Sequence, residues 1–213
     1  MTLWLTRITV DPRDRQVRGD LTNAVRMHQR IMTLMPDGLG ANARQQAGVL
    51  YRIDETRSGT QLLIQSSSAP QLEALPDSYG TAEIRDLSPL LDALHDGLSV
   101  RYRLAANASK RLGRTSGHEG KVVALRGQAA DEWWLDRAQR CGLGIKTLTG
   151  TSQADQSGHR RDAAAAERVR HAVVRFDGLA VITDTGALQQ ALCAGVGRGK
   201  SHGCGLLSLA IAR

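Results

Sequence analysis

The chain has 213 residues, 41% of them hydrophobic and 23% charged, with a formal net charge of +7, enough apolar material for one domain or two small ones. Its apolar runs fall far short of the roughly 20 residues of a membrane helix. The N-terminus lacks a basic stretch ahead of a long apolar run, so neither a membrane span nor a signal peptide is expected. Three cysteines, Cys141, Cys193 and Cys204, make an odd count without CxxC spacing, which points to a reducing cytoplasm and away from a disulfide framework.

Leu3–Val10 alternates, with Trp4, Thr6, Ile8 and Val10 on one face and Leu3 and Leu5 on the other, and predicts a strand. Asp11-Pro12 ends it. Asp20, Thr22 and Asn23 offer N-caps for a helix running to about Met35, where Pro36-Asp37-Gly38 stops it. The apolar runs Gly48–Ile53 and Gln61–Ser66 flank Asp54–Thr60, which contains Ser58-Gly59, and read as a hairpin. The polar, proline-containing stretch Ser66–Tyr79 predicts a short helix, and Thr81–Leu87 a fourth strand. The order is β-α-β-β-α-β, the ferredoxin-like pattern.

The second half repeats this order more loosely. Ser99–Ala106 is a strand, Ala129–Cys141 a helix closed by Gly142, and Leu143–Leu148 a strand. Arg170–Phe176 and Leu179–Thr183 read as a hairpin around Asp177-Gly178. Thr185–Cys193 is a helix capped by Asp184 or Thr185, and Leu206–Ile211 a final strand. The polar segments Gly113–Gly120 and Gly150–Arg168 read as mobile loops or hairpin tips. The fold class is therefore α+β, two tandem ferredoxin-like (RRM-like) βαββαβ domains, residues 1–90 and 98–213. The repeat is one of element order, not of sequence.

The charge is uneven. Residues 1–106 hold 12 Lys+Arg and 12 Asp+Glu; residues 107–213 hold 16 and 9. The whole excess lies in the second half, which points to a basic surface for a polyanion. Of the 28 cations, 24 are arginine, the side chain that holds phosphate with two parallel N–H groups. Genome base composition explains that ratio equally well, but not the asymmetry between halves. Only seven residues are aromatic. A sheet that stacks single-stranded bases needs more, so a folded stem read through its backbone and shape fits better.

Residues 195–205 read Gly-Val-Gly-Arg-Gly-Lys-Ser-His-Gly-Cys-Gly. A Walker A loop needs G-x-x-x-x-G-K-[ST] between a strand and a helix. Here Ala194 stands where the first glycine belongs, and the segment follows a helix and precedes a strand, which argues against nucleotide hydrolysis. Two readings of the segment stay open: backbone N–H groups with Arg198 and Lys200 cradling phosphates, or a tight structural connection.

Gly195–Leu209, GVGRGKSHGCGLLSL, closely resembles the C-terminal signature of the CRISPR repeat-processing endoribonucleases of type I-E systems, the CasE family. Leu3-Trp4-Leu5-Thr6 resembles that family's first strand. Met27-His28 matches the place of its catalytic histidine. Arg101-Tyr102-Arg103-Leu104-Ala105-Ala106-Asn107 with Lys110 resembles the strand that opens its second domain. The resemblance spans the full length. It implies two ferredoxin-like domains and metal-independent cleavage of stem-loop repeat RNA at the base of the stem. It also implies 2′-hydroxyl attack, a 2′,3′-cyclic phosphate end, and retention of the mature crRNA within an RNA-guided surveillance complex (Cascade).

By its place on the helix, among Ala24, Met27, Ile31 and Met35, His28 alone reads as a core histidine; the resemblance makes it catalytic. Family members commonly carry a tyrosine three residues earlier, where this chain has Val25. Arg26, Arg30, Arg198 and Lys200 are candidates for charge stabilisation. His202 reads as a solvated loop residue or as a ring beside phosphate. His95, His118, His159 and His171 receive no role.

RNA binding is expected from Arg160, Arg161, Arg168, Arg170, Arg175, Arg198, Lys200, Gly195, Gly197, Gly199, Lys110 and Arg111. No metal, cofactor or membrane is expected. The partners are repeat RNA and the backbone subunits of the complex, for a protein monomeric on its own. Two alternatives are an inactive or weakly active RNA-binding subunit of the same fold, suggested by Val25, and a nucleotide-binding regulatory ferredoxin-like protein.

Overall fold

Strand β1 (Trp4–Val10) forms as its alternation dictates, with Thr6, Ile8 and Val10 buried. Helices α1 (Arg15–Leu21) and α2 (Ala24–Met32) follow. The Asp14 carboxylate accepts from the Gln16 and Val17 amides, and Asn23 Oδ1 accepts from those of Val25 and Arg26; such caps are worth about 1 kcal/mol each. Asn23, one of the expected caps, is thus the true start of the second helix, which ends at Met32 rather than near Met35. α3 (Ala43–Gln46) is a single turn. β2 (Leu50–Thr56) and β3 (Gly59–Ser66) make the expected hairpin. Two 3-10 turns, Leu72–Ala74 and Asp77–Tyr79, stand where one short helix was expected, and β4 (Gly80–Asp86) follows. The sheet has the order β2-β3-β1-β4 with antiparallel neighbours. Met27 and Ile31 of α2 pack with Ile8, Val10, Tyr51, Leu62, Ile64 and Tyr79 in its core.

After α4 (Ser88–Asp92), β5 (Ser99–Ala106) opens a second sheet. β6 (Ser109–Arg111) and β7 (Val122–Ala124) form a small ribbon. Then come α5 (Gln128–Arg140), β8 (Leu143–Ser152), β9 (Gln156–Gly158) and β10 (Val169–His171). β11 (Val174–Ile182), α6 (Thr185–Ala194), a 3-10 turn over Lys200–His202 and β12 (Leu207–Ile211) complete the chain. The order is β12-β5-β11-β8, again antiparallel throughout. Numbered within each unit, both sheets therefore run 4-1-3-2, the ferredoxin-like arrangement.

One expectation is corrected. Residues 170–183 do not make a hairpin at Asp177-Gly178; β11 runs straight through both residues. Gly178 is needed for a neighbour, not for a turn. A Cβ there would collide with the carbonyl oxygen of Thr147 on β8 and lie 2.8 Å from the Tyr102 hydroxyl. With one strand in place of two, the second half has the same six-element order as the first.

The computed structural model describes residues 2–113, 119–159 and 169–212, which fall into two compact units. The first comprises the described residues of Met1–Ala93, Gln156–Arg170 and Lys200–Gly203; the second, those of Leu94–Asp155, His171–Gly199 and Cys204–Arg213. In the second unit the core is aromatic. The Trp134 ring lies 5.6 Å from that of Tyr102 and 6.0 Å from that of Phe176, and all three are buried. These strand aromatics are therefore turned inward, away from any base that could stack on them. No helix among the described residues is long and apolar enough to cross a membrane.

Candidate active site

Helix α2 has two polar sides. At roughly 100° per residue, Arg26 and Arg30 lie almost opposite His28. Both reach Asp20: Arg30 Nε at 3.0 Å and Arg26 Nε at 3.4 Å. The buried Asp20 carboxylate also accepts from the Tyr79 hydroxyl at 3.1 Å, and Arg30 donates to Gln16 at 2.6 Å. Burial and the neighbouring Asp20 charge push the Tyr79 hydroxyl far above its ordinary range. A buried carboxylate needs such partners, and this one holds both arginines away from His28.

What stands beside His28 is the turn Lys200–His202, which packs on α2 and β2. The His28 and His202 ring centroids are 6.3 Å apart, with the planes inclined at 58°. Nδ1 of His28 is buried with no hydrogen-bond partner among the described residues, so Nε2 is the atom left to exchange a proton with a ligand. Arg44, on α3, donates to the Val49 carbonyl at 2.9 Å and acts electrostatically on both His28 and Lys200. Burial first, and the Arg44 charge second, hold His28 below its ordinary 6.5. The same two causes, in the same order, lower Lys200.

Gly203 fixes the turn. Its φ is +77°, a conformation that disfavours a side chain, and a Cβ there would lie 3.2 Å from the ring of Tyr51. Tyr51 is fully buried beneath it. On the N-terminal side of α2, Gly158 of β9 backs onto the helix start. A Cβ on Gly158 would meet Asn23 Oδ1 at 2.7 Å, the Val25 amide nitrogen at 2.8 Å and Val25 Cγ2 at 3.0 Å. Asn23 Nδ2 donates to the His159 carbonyl at 3.1 Å. Val25 thus packs against β9.

An imidazole kept below its ordinary range by burial and by a nearby guanidinium suits proton transfer next to an oxyanion. The structure brings the turn that carries Lys200 to the helix that carries His28, and turns Arg26 and Arg30 to Asp20 instead. It adds Arg44, which no sequence pattern singled out, and it sets His202, read from the sequence either as a solvated loop residue or as a ring beside phosphate, next to His28.

The expected RNA-binding residues are dispersed. Lys110 and Arg111 lie exposed on β6, and Arg170 lies exposed on β10. Arg175 on β11 pairs with Asp177 at 2.8 Å. Arg198 forms a backbone bridge with Asn107. Gly195, Gly197 and Gly199 all have positive φ, at +72°, +80° and +77°; Gly197 lies against Trp133 and Gly199 against the His171 ring. The glycine run opens no α-helix: α6 ends before it, the 3-10 turn Lys200–His202 lies within it, and β12 begins after it. Arg160, Arg161 and Arg168 lie outside the described residues.

Two antiparallel sheets of the 4-1-3-2 order, one unit carrying a half-buried histidine among cations, define a tandem ferredoxin-like protein equipped for acid–base chemistry on an anion. The family described as CRISPR associated protein matches residues 3–210, and the chain belongs to it. The chain is 30% identical over 220 residues to the CRISPR-associated endoribonuclease Cse3 of Thermus thermophilus, covering 98% of this chain and 100% of that protein. The solved structure of CRISPR endoribonuclease Cse3 bound to a 19 nt RNA matches with a TM-score of 0.83 at 27% identity, over 99% of this chain and 100% of the other. A chain of a CRISPR RNA-guided surveillance complex, pre-nicking, matches with a TM-score of 0.75 at 43% identity, over 98% of this chain and 100% of that one.

Proposed function

We propose that the protein is a metal-independent endoribonuclease that binds the stem-loop of CRISPR repeat RNA and cuts it at the base of the stem. It then stays on the mature crRNA as a subunit of an RNA-guided surveillance complex. The observation that carries this reading is the placing of His28 beside the Lys200–His202 turn, with Arg44 acting on both His28 and Lys200, in a chain of this family.

The substrate supplies its own nucleophile. Its 2′-hydroxyl attacks the adjacent phosphorus, the bond to the 5′-oxygen breaks, and a 2′,3′-cyclic phosphate and a 5′-hydroxyl result. His28, held neutral by burial and by Arg44, takes the 2′-hydroxyl proton through Nε2. Lys200 and Arg44 stabilise the negative charge that grows on the phosphate oxygens, a contribution of about 10²–10³ in rate per well-placed donor in comparable sites.

The grip comes from the basic second half: Lys110, Arg111, Arg170, Arg175 and Arg198, the arginines at 160, 161 and 168, and the amides of Gly195, Gly197 and Gly199. Phosphate contacts of this kind make binding fall steeply with salt. The protein is monomeric on its own, joins the complex's backbone subunits through the RNA it carries, and works in the cytoplasm, where free thiols such as Cys141, Cys193 and Cys204 persist.

Val25 favours a second reading, a non-catalytic RNA-binding subunit, because no proton donor stands one turn before His28. Incubation with stem-loop repeat RNA in EDTA separates the two. The endoribonuclease yields cut RNA with a cyclic phosphate end, and a 2′-deoxy substitution at the scissile nucleotide blocks it. The non-catalytic subunit yields bound, uncut RNA.

A further inference from the structure

We propose that His202 is the second proton-transfer group of the cleavage reaction, protonating the departing 5′-oxygen while His28 takes the proton of the 2′-hydroxyl. The inference rests on the ribonuclease reading above and adds a residue to it.

The chemistry requires two such groups. As the O2′–P bond forms and the P–O5′ bond breaks, one proton leaves O2′ and another must reach O5′, since an alkoxide is a poor leaving group near neutral pH. Attack is in line, so the two oxygens lie on opposite sides of phosphorus, and the groups that serve them must flank the phosphate. Each has to come within about 2.6–3.2 Å of its own oxygen. Two imidazoles with centroids 6.3 Å apart are too distant to hydrogen-bond each other and spaced to take a phosphate between them. At the start His28 is neutral and His202 protonated. After the step the states are exchanged, and solvent restores them.

The surrounding groups narrow the choice. Val25, one turn before His28 on α2, has no proton to give. Tyr51 is fully buried under the turn, its hydroxyl directed at the Ala24 carbonyl at 3.5 Å. Arg44 stays charged throughout the working pH range. Lys200, two residues from His202, is the rival donor, lowered by burial and by Arg44. An imidazole has the better match to neutral pH. His202 is also held in place: the turn seats on α2 and β2, and Gly203 closes it against the Tyr51 ring.

A leaving-group substitution tests this directly. The full chain is given stem-loop repeat RNA in EDTA under single-turnover conditions, once with the natural 5′-oxygen and once with a bridging 5′-sulfur at the scissile bond. Sulfur departs as a thiolate and needs no acid. Wild type is expected to cut both. His202→Ala is expected to cut the oxygen substrate about 10²–10⁴-fold more slowly, yet to cut the sulfur substrate within about tenfold of wild type. His28→Ala stays slow on both. His202→Gln, which keeps the size of the ring without its titration, should repeat the alanine result, and both variants should bind the stem-loop as wild type does. Equal defects on both substrates, or none on either, overturn the assignment. Sulfur rescue of Lys200→Ala in place of His202→Ala transfers the role to Lys200 and overturns it too. A wild-type chain that binds but cuts neither substrate overturns the ribonuclease reading itself, and this inference with it.

Discussion

The two sheet units share a strand order and differ in what fills the crossovers. In the second, the first crossover is α5, of 13 residues, and the second is α6, of 10. Trp134, Tyr102 and Phe176 fill the space between helix and sheet. In the first, three short helices, α1, α2 and α3, of 7, 9 and 4 residues, make the first crossover, and two three-residue 3-10 turns replace the later helix. Met27 and Ile31 of α2 close the apolar core there, while the Lys200–His202 turn packs on α2 beside the half-buried His28. One topology therefore carries long crossover helices over an aromatic core in one copy, and short ones with a distant segment of the chain packed on them in the other.

That contrast can be broken at three points. His28→Ala should slow single-turnover cleavage by about 10³-fold or more while leaving stem-loop affinity unchanged. A comparable loss of affinity would mean that the first unit grips as well as cuts. Gly178→Ala acts on the second unit alone. The added Cβ meets the Thr147 carbonyl, and overpacking of this kind costs roughly 1–3 kcal/mol, which a thermal melt will read as a lowered midpoint. The rate of cutting at saturating protein should hardly move.

At the site itself a smaller effect than that of His28→Ala is expected from Arg44→Gln, at about 10²-fold in rate near neutral pH, and it carries a second signature. Arg44 is the lesser of two causes holding His28 below 6.5, after burial. Its removal should move the acid limb of the pH–rate profile to higher pH, part of the way back to 6.5. Stability follows the same linkage. A histidine lowered by folding stays neutral in the native state while the unfolded chain takes up its proton near 6.5, so wild type loses stability as pH falls below that value. The variant should lose less. An unchanged acid limb would separate Arg44 from His28.

Much of this was legible locally. The alternation of Trp4–Val10, the Asn23 cap and the Ser58-Gly59 turn each depend on neighbours in sequence, and each stands where the pattern put it. The Asp177-Gly178 pair misled because its glycine answers to β8, across the sheet. Arg44 gave no signal: it sits on a one-turn helix with no periodicity, and its effect on His28 arises only when α3 is packed. His202 stood in a recognisable motif, yet its distance to His28 belongs to tertiary structure. Arg26 and Arg30 show the converse, being next to His28 in sequence but drawn to Asp20 by a buried charge.

The turn at Lys200–Gly203 belongs to the first unit, although the residues on either side of it belong to the second. Chains are made from the N-terminus onward and tend to fold in that order. A growing chain thus holds β1 to β4 and the helix bearing His28 long before residue 200 exists. The pocket is the last part of that unit to be completed, and closing it spans most of the chain, which is a slow, high-contact-order event. Any chain truncated before residue 200 has His28 and Arg44 without Lys200 and His202, so on the reading proposed above incomplete copies lack part of the cutting machinery.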